Sequence, residues 1–145
     1  MLEHKFIQGL ASFLVAHIFY VIAFNNYSVI TEISHSQPKW QLILPFIVYG
    51  GLVYQYLSEN LGKLKIPVVI YISVISLMGI SALNRMIQIN DTSSYYALAG
   101  ALIFIISDTI LSINKFKSKF IQAEFLLLTT YYTAQLLIAL SITIH

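Results

Sequence analysis

The sequence predicts an all-α, polytopic transmembrane helix bundle of about five spans, and three observations predict it. The first is a shortage of charge. Of the 145 residues, 58% are hydrophobic and 10% charged, whereas an average soluble domain carries roughly 25% charged residues. A surface so poor in charge must be wetted by lipid, in keeping with a mean hydropathy of +0.78. The second is length: the stretches 6–24, 40–57, 66–83, 95–113 and 123–143 approach the ~20 mostly apolar residues that cross a bilayer core. The third is the lack of alternation. Backbone groups in lipid must bond internally, so the spans are helices or closed-barrel strands. Barrel strands alternate apolar and polar positions, and the run from Ala101 to Ile106 does not.

The elements follow in order. The stretch 6–24 is longer than the apolar core of a signal peptide and ends in Phe19-Tyr20 and Asn25-Asn26, so it is read as a retained helix. A polar break with His35, Pro38 and Lys39 leads to 40–57, which opens on Trp40 as an interfacial anchor. Pro45 here and Pro67 in the next span are placed in first turns, where a missing N–H costs little. Tyr49, Tyr54, Gln55 and Tyr56 are expected at the interface or between helices. In 66–83, Ser73, Ser76 and Ser81 are expected to bond back to their own helix, and Asn84-Arg85 is read as the start of the next break. Tyr95 and Tyr96 anchor the fourth span, and a lysine-rich loop, Lys115 to Lys119, precedes the fifth. No linker, repeat or low-complexity segment divides the chain, so residues 1–145 form one transmembrane domain.

Charge sets the orientation. In an alternating five-span arrangement Lys5, Lys63, Lys65, Lys115, Lys117 and Lys119 share one side, and Lys39 and Arg85 the other. Lysine and arginine favour the cytoplasmic side, so the N-terminus is expected there and His145 outside. An integral protein of the cell (inner) membrane is the expected location. The net charge of +2 is too small to suggest a nucleic-acid partner.

The informative residues are the polar ones inside spans. Asp108 is the one acid well inside a span, four residues past its midpoint and so about 6 Å from mid-depth. A charge near the bilayer centre costs at least ~2.5–3.5 kcal/mol, so Asp108 should face the bundle. Its helical face also carries Ala97, Gly100, Ala101 and Phe104, and small residues at that spacing let helices approach. Desolvation disfavours a charged carboxylate, and a neutral carboxylic acid is what a general acid needs to be. The competing reading is a hydrogen bond to a neighbouring helix. His17 sits mid-span with Phe13, Tyr20 and Phe24 on its face; a lone membrane histidine is more often an interhelical hydrogen-bonding partner than a ligand. The last span carries Thr129, Thr130, Tyr131, Tyr132 and Gln135 at the depth of Asp108 and slightly beyond, a stripe that packing alone explains.

Several chemistries fail on inventory. There are no cysteines, which removes thiolate metal sites and a Cys nucleophile. His4 and His35 flank spans and His145 is terminal, which leaves no histidine cluster for a metal. A triad drawn from Ser12 or Ser107, His17 and Asp108 lacks the nucleophile elbow. No phosphate-binding loop or dinucleotide fingerprint occurs, so no cofactor is expected. A glycosidase needs two carboxylates, and the spans hold one.

The polar positions resemble a known family. Gly9, Phe13, Ala16-His17, Tyr20 and Phe24 fit the G-x-x-x-F-x-x-[AS]-H-x-x-Y-x-x-x-F segment of YhhN-type membrane proteins, the lysoplasmalogenase family. Gly100-Ala101, Phe104 and Ser107-Asp108 resemble its G-A-x-x-F-x-x-S-D segment. Thr130-Tyr131-Tyr132, Ala134-Gln135 and Leu137-Ile138 resemble its T-Y-Y-x-A-Q-x-L-I segment. Family members are longer, and the chain resembles their C-terminal part; a G-D-x-x-L segment carrying a second membrane acid has no counterpart here. The resemblance implies hydrolysis of the vinyl ether bond of a lysoplasmalogen, releasing a fatty aldehyde. It implies Asp108 as general acid, and His17, Tyr20, Ser107, Tyr131 and Gln135 as residues that orient water or hold the substrate. The partners it implies are a lipid or lysolipid substrate and the membrane, and a homo-oligomer is one way to cover exposed polar faces. Two other readings compete: a non-catalytic family member that binds lipid or a membrane partner, and a small transporter with Asp108 as proton relay. No repeat or broken helix favours the transporter.

Overall fold

A computed structural model describes residues 2–30 and 40–144. The break holding His35, Pro38 and Lys39, and the terminal His145, lie outside the described residues, as do the side chains of His4, Lys5 and Trp40. The five expected helices are present: α1 (Leu2–Ile30), α2 (Trp40–Leu57), α3 (Lys65–Ile89), α4 (Thr92–Phe116) and α5 (Ala123–Thr143). Among the described residues four helices are long and apolar enough to cross a membrane, and α2 is not one of them. With 18 residues α2 rises about 27 Å, a little under the roughly 30 Å hydrocarbon core. Its outer face is nonetheless apolar: Leu44, Ile47, Val48 and Leu52 are all exposed, as are Phe19 on α1, Ile66 on α3 and Leu136 on α5. Such a surface suits hydrocarbon and not water.

Three sequence expectations need correction. Pro45 is the sixth residue of α2, not part of its first turn, because the helix begins at Trp40; its ring nitrogen leaves the Gln41 carbonyl without an intrahelical donor. The third span does not stop at Leu83. Helix α3 runs through Asn84-Arg85 to Ile89, because the bundle accepts the arginine: Arg85 Nη2 donates to Ser93 Oγ at 2.6 Å, and the guanidinium lies 5.9 Å from the Phe24 ring centroid. Ser81 does not bond back to its own helix but accepts from Asn25 of α1 at 3.1 Å. Ser73 does bond back, to the Val69 carbonyl.

The turn between α3 and α4 is two residues long, and each has a reason. Asn90 caps α3 at φ 53°, ψ 39°, its N–H returning to the Met86 carbonyl; asparagine tolerates this left-handed conformation better than most residues. Asp91 caps α4. Its carboxylate accepts from the Ser94 N–H at 2.7 Å, and the Ser94 hydroxyl accepts from the Asp91 N–H at 3.1 Å, a reciprocal capping box. Partial burial works to raise the Asp91 pKa, but the hydrogen bonds from Ser94 and the field of Arg85 prevail and hold it below the usual carboxylate range. A folded-state pKa below the unfolded one gives stability that is present above the unfolded value, near 3.9, and is lost as pH falls through the folded one. Asp91→Ala is therefore expected to cost about 1 kcal/mol at neutral pH, with the difference from wild type vanishing in strong acid; thermal unfolding at pH 7 and pH 2 checks it.

Helices α4 and α5 pack most closely. Ala97, Ala101 and Ala134 are fully buried, Gly100 lies against α5, and Phe104, Met78 and Ile138 complete the central core with Phe24. A second cluster, Phe46, Tyr71, Ile75 and Ile105, joins α2, α3 and α4, and a third, Leu57, Leu61 and Val68, closes the lysine-bearing end.

Candidate functional site

Asp108 lies on α4, 3% exposed, and faces His17 of α1, which is fully buried. Their nearest atoms, His17 Nε2 and Asp108 Oδ2, are 3.4 Å apart. The imidazole is oriented from behind. Its Nδ1–H donates to the Phe13 carbonyl one turn back at 2.6 Å, and the Phe104 ring packs edge-on against it, centroids 4.7 Å apart at 87°. With Nδ1 committed as a donor, a neutral imidazole presents a lone pair at Nε2.

A third group belongs here that sequence reasoning missed. Tyr71 of α3 is 4% exposed, and its ring lies 6.0 Å from that of His17. His17 Nε2, Asp108 Oδ2 and Tyr71 Oη are all buried without a hydrogen-bond partner. Buried polar atoms nearly always have partners, so the unsatisfied His17–Asp108 pair, with the Tyr71 ring beside it, marks a candidate seat for a polar group. No signal in the sequence separates Tyr71 from the other nine tyrosines.

The remaining residues fall into a ring around this point. Tyr20 donates to Gln135 Oε1 at 2.6 Å, tying α1 to α5. The Tyr131 ring meets Phe13 and Phe104 edge-on, centroids 5.9 and 5.6 Å apart. Tyr49 lies one layer away. Thr109 gives its one proton to the Ile105 carbonyl, so in the 2.8 Å contact between the two hydroxyls Tyr49 is the donor. Ser107, beside Asp108 in sequence, points elsewhere: its hydroxyl faces the Leu127 carbonyl of α5 at 3.4 Å. Thus His17, Tyr20, Tyr131 and Gln135 gather on the α1–α5 side of Asp108, and Ser107 does not.

Arg85 forms a separate polar cluster. Ser93 donates to the Ser141 carbonyl, toward which Arg85 Nη2 also points at 3.4 Å. A cation at the carbonyl end of α5 is favoured by the helix dipole, so this cluster locks α3, α4 and α5 together. Ser93 and Asp108 are 15 residues apart on α4, about 22 Å, which places Arg85 outside reach of the His17–Asp108 pair.

A family model for the YhhN family matches residues 1–142. Lysoplasmalogenase TMEM86A of Bos taurus is 31% identical over 140 residues, covering 94% of this chain and 55% of the relative. Lysoplasmalogenase TMEM86B of Homo sapiens is 34% identical over 136 residues, covering 94% and 53%. The chain spans about half the length of the curated relatives it matches. No solved structure matches it. Since the matched region takes in α1 to α4, α5 but for its last residue, and the buried His17–Asp108 pair, the chain belongs to the YhhN family.

Proposed function

We propose that this chain is a membrane hydrolase that cleaves the vinyl ether bond of a lysoplasmalogen-type lysolipid by acid catalysis. The observation that carries the reading is the buried, unsatisfied pair of His17 Nε2 and Asp108 Oδ2, 3.4 Å apart, in a chain whose curated relatives are named lysoplasmalogenases.

The chemistry needs one mobile proton and one water. Asp108 gives its proton to the β-carbon of the vinyl ether, converting the C=C–O unit to an oxocarbenium ion. The carboxylate left behind stabilises that cation in a low-dielectric site, where such stabilisation is strong. Water adds to the oxocarbenium carbon, and His17 Nε2 receives the proton it loses. The hemiacetal collapses to a fatty aldehyde and the glycerol hydroxyl of the head-group fragment, and the proton on His17 passes back across 3.4 Å to Asp108. Tyr71 steadies the carboxylate, and the Tyr20–Gln135 pair borders the site on the α1–α5 side and holds the substrate's polar part. Ser107 serves the α4–α5 contact instead.

The decisive experiment incubates purified protein with a lysoplasmalogen and measures aldehyde release. Release supports the hydrolase; none, from protein shown to be folded, leaves a non-catalytic lipid-binding family member.

The lysine-bearing end is assigned to the cytoplasm and the α3–α4 turn to the outside. The absence of native cysteines makes this directly testable. A single cysteine at Asn90 is expected to react with a membrane-impermeant maleimide in intact cells, and one at Lys119 only after lysis.

A further inference from the structure

A groove of about 720 Å³ lies between α2 and α3, within the range of volumes that bind small ligands. It runs from Tyr54 and Val69 to Ile43 and Ile80. Eleven residues separate Val69 from Ile80, a rise of about 16 Å, close to half of the roughly 30 Å hydrocarbon core. The groove is therefore about one leaflet deep. Its lower end starts four residues above Lys65, about 6 Å, so the leaflet it occupies is the one at the lysine end. Gly51 keeps it open: a Cβ added there would meet nothing within 4 Å.

Three features connect the groove to the site. Phe46 lines it and packs in the same core cluster as Tyr71 and as Ile105, three residues before Asp108 on α4. Tyr49, one residue from the groove's Gly50, bonds Thr109 next to Asp108. Asp108 itself lies eight residues from Phe116, the lysine end of α4, and sixteen from Thr92 at the other end, about 12 against 24 Å. The reacting bond thus belongs in the leaflet that the groove occupies. The exposed Lys63 and Lys65 supply positive charge where a head-group phosphate would lie, whereas Lys117 is paired with Glu59 at 3.9 Å and Arg85 is too distant to hold it.

We infer that the α2–α3 groove seats the single hydrocarbon chain of the lysolipid, with its phosphate toward the lysines, so that substrate is drawn from the leaflet at the lysine end. The identity of the amphiphile rests on the lysolipid reading above, so the test reads binding apart from hydrolysis.

The probe is a hexadecyl-ether lysophosphatidylethanolamine, which cannot be hydrolysed at a vinyl ether, with a diazirine at mid-chain. It is added to the protein in phosphatidylcholine nanodiscs and photolysed. Labelling is expected on α2 and α3 and is displaced by unlabelled lysolipid. Gly51→Trp and Gly51→Leu, which fill open space and leave the fold intact, are expected to weaken hexadecyl binding by about tenfold, the loss of roughly two methylene contacts. Labelling spread evenly over all lipid-facing helices would mean ordinary bilayer lipid occupies the groove. A groove protected from label by a cross-linkable second copy would mean a dimer interface. Either result, or unchanged binding in both variants, overturns the inference. Aldehyde release measured in parallel separates the two ideas: groove labelling without release keeps the chain seat and removes the hydrolase, and release without groove labelling does the reverse.

Discussion

Asp108→Asn is expected to lower aldehyde release by about 10²–10⁴-fold, the range that a positioned general acid contributes, while leaving the fold nearly as stable as wild type. The carboxamide has the shape of the carboxyl, can donate to His17 Nε2 and can accept from Tyr71, so the three buried groups keep complementary partners. It has no proton acidic enough to reach a vinyl carbon. Asp108→Ala behaves differently, because it leaves His17 Nε2 and Tyr71 Oη buried opposite a void. Unpaired buried polar groups cost about 1–3 kcal/mol, so this variant loses stability along with activity. Measuring turnover and thermal unfolding on both variants separates chemistry from scaffold. Full turnover in the Asn variant would remove Asp108 from the reaction, whatever its contribution to packing.

Gly100→Leu is expected to be the most disruptive single substitution between helices. A Cβ at this position would lie 2.7 Å from Ile138 Cγ1, 3.0 Å from the Ala134 carbonyl oxygen and 3.1 Å from the Ile138 nitrogen. Two of those atoms are backbone, and backbone cannot rotate away, so α4 and α5 must separate. Overpacking typically costs 1–3 kcal/mol, and a full leucine at an unyielding contact is expected near or above ~3 kcal/mol. Gly100→Ala meets the same three atoms and should show a smaller loss of the same sign. Gly51→Ala, with nothing within 4 Å of its new methyl, should be neutral or stabilising by about 0.5–1 kcal/mol, the usual gain from replacing a helical glycine. Equal stability of Gly100→Leu and wild type in detergent unfolding would show that the close α4–α5 approach does not hold the bundle together.

Much of this architecture was legible in the sequence because lipid is a demanding solvent. A run of twenty apolar residues has few alternatives, and the fifth span matches its expected bounds, Ala123–Thr143. The inward face of α4 was legible too: Ala97, Gly100, Ala101, Phe104 and Asp108 are all buried, since small residues and a costly carboxyl have no reason to face lipid. Arg85 was misread for a physical reason. A charge next to asparagine reads as loop, and only the tertiary structure shows that Ser93 and the end of α5 receive it. Tyr71 was invisible because phenols occur throughout membrane helices as anchors and packing groups. What singles it out is proximity to two residues 54 and 37 positions away, and distance in sequence carries no such information.

The hydrogen bond between Tyr20 and Gln135 joins the first helix to the last across 115 residues, and this has a consequence for biogenesis. A chain elongates at about 5–20 residues per second, so Tyr20 is made roughly 6–23 s before Gln135. For most of that interval the partners of His17 and Tyr20 on α4 and α5 have yet to be synthesised. The pair His17–Asp108 can form once α4 is inserted, but the ring of side chains around it closes only with the arrival of α5. Truncation within α5 should therefore leave a protein that inserts into the membrane yet never completes its polar interior, and cellular quality control would meet it as an assembly intermediate.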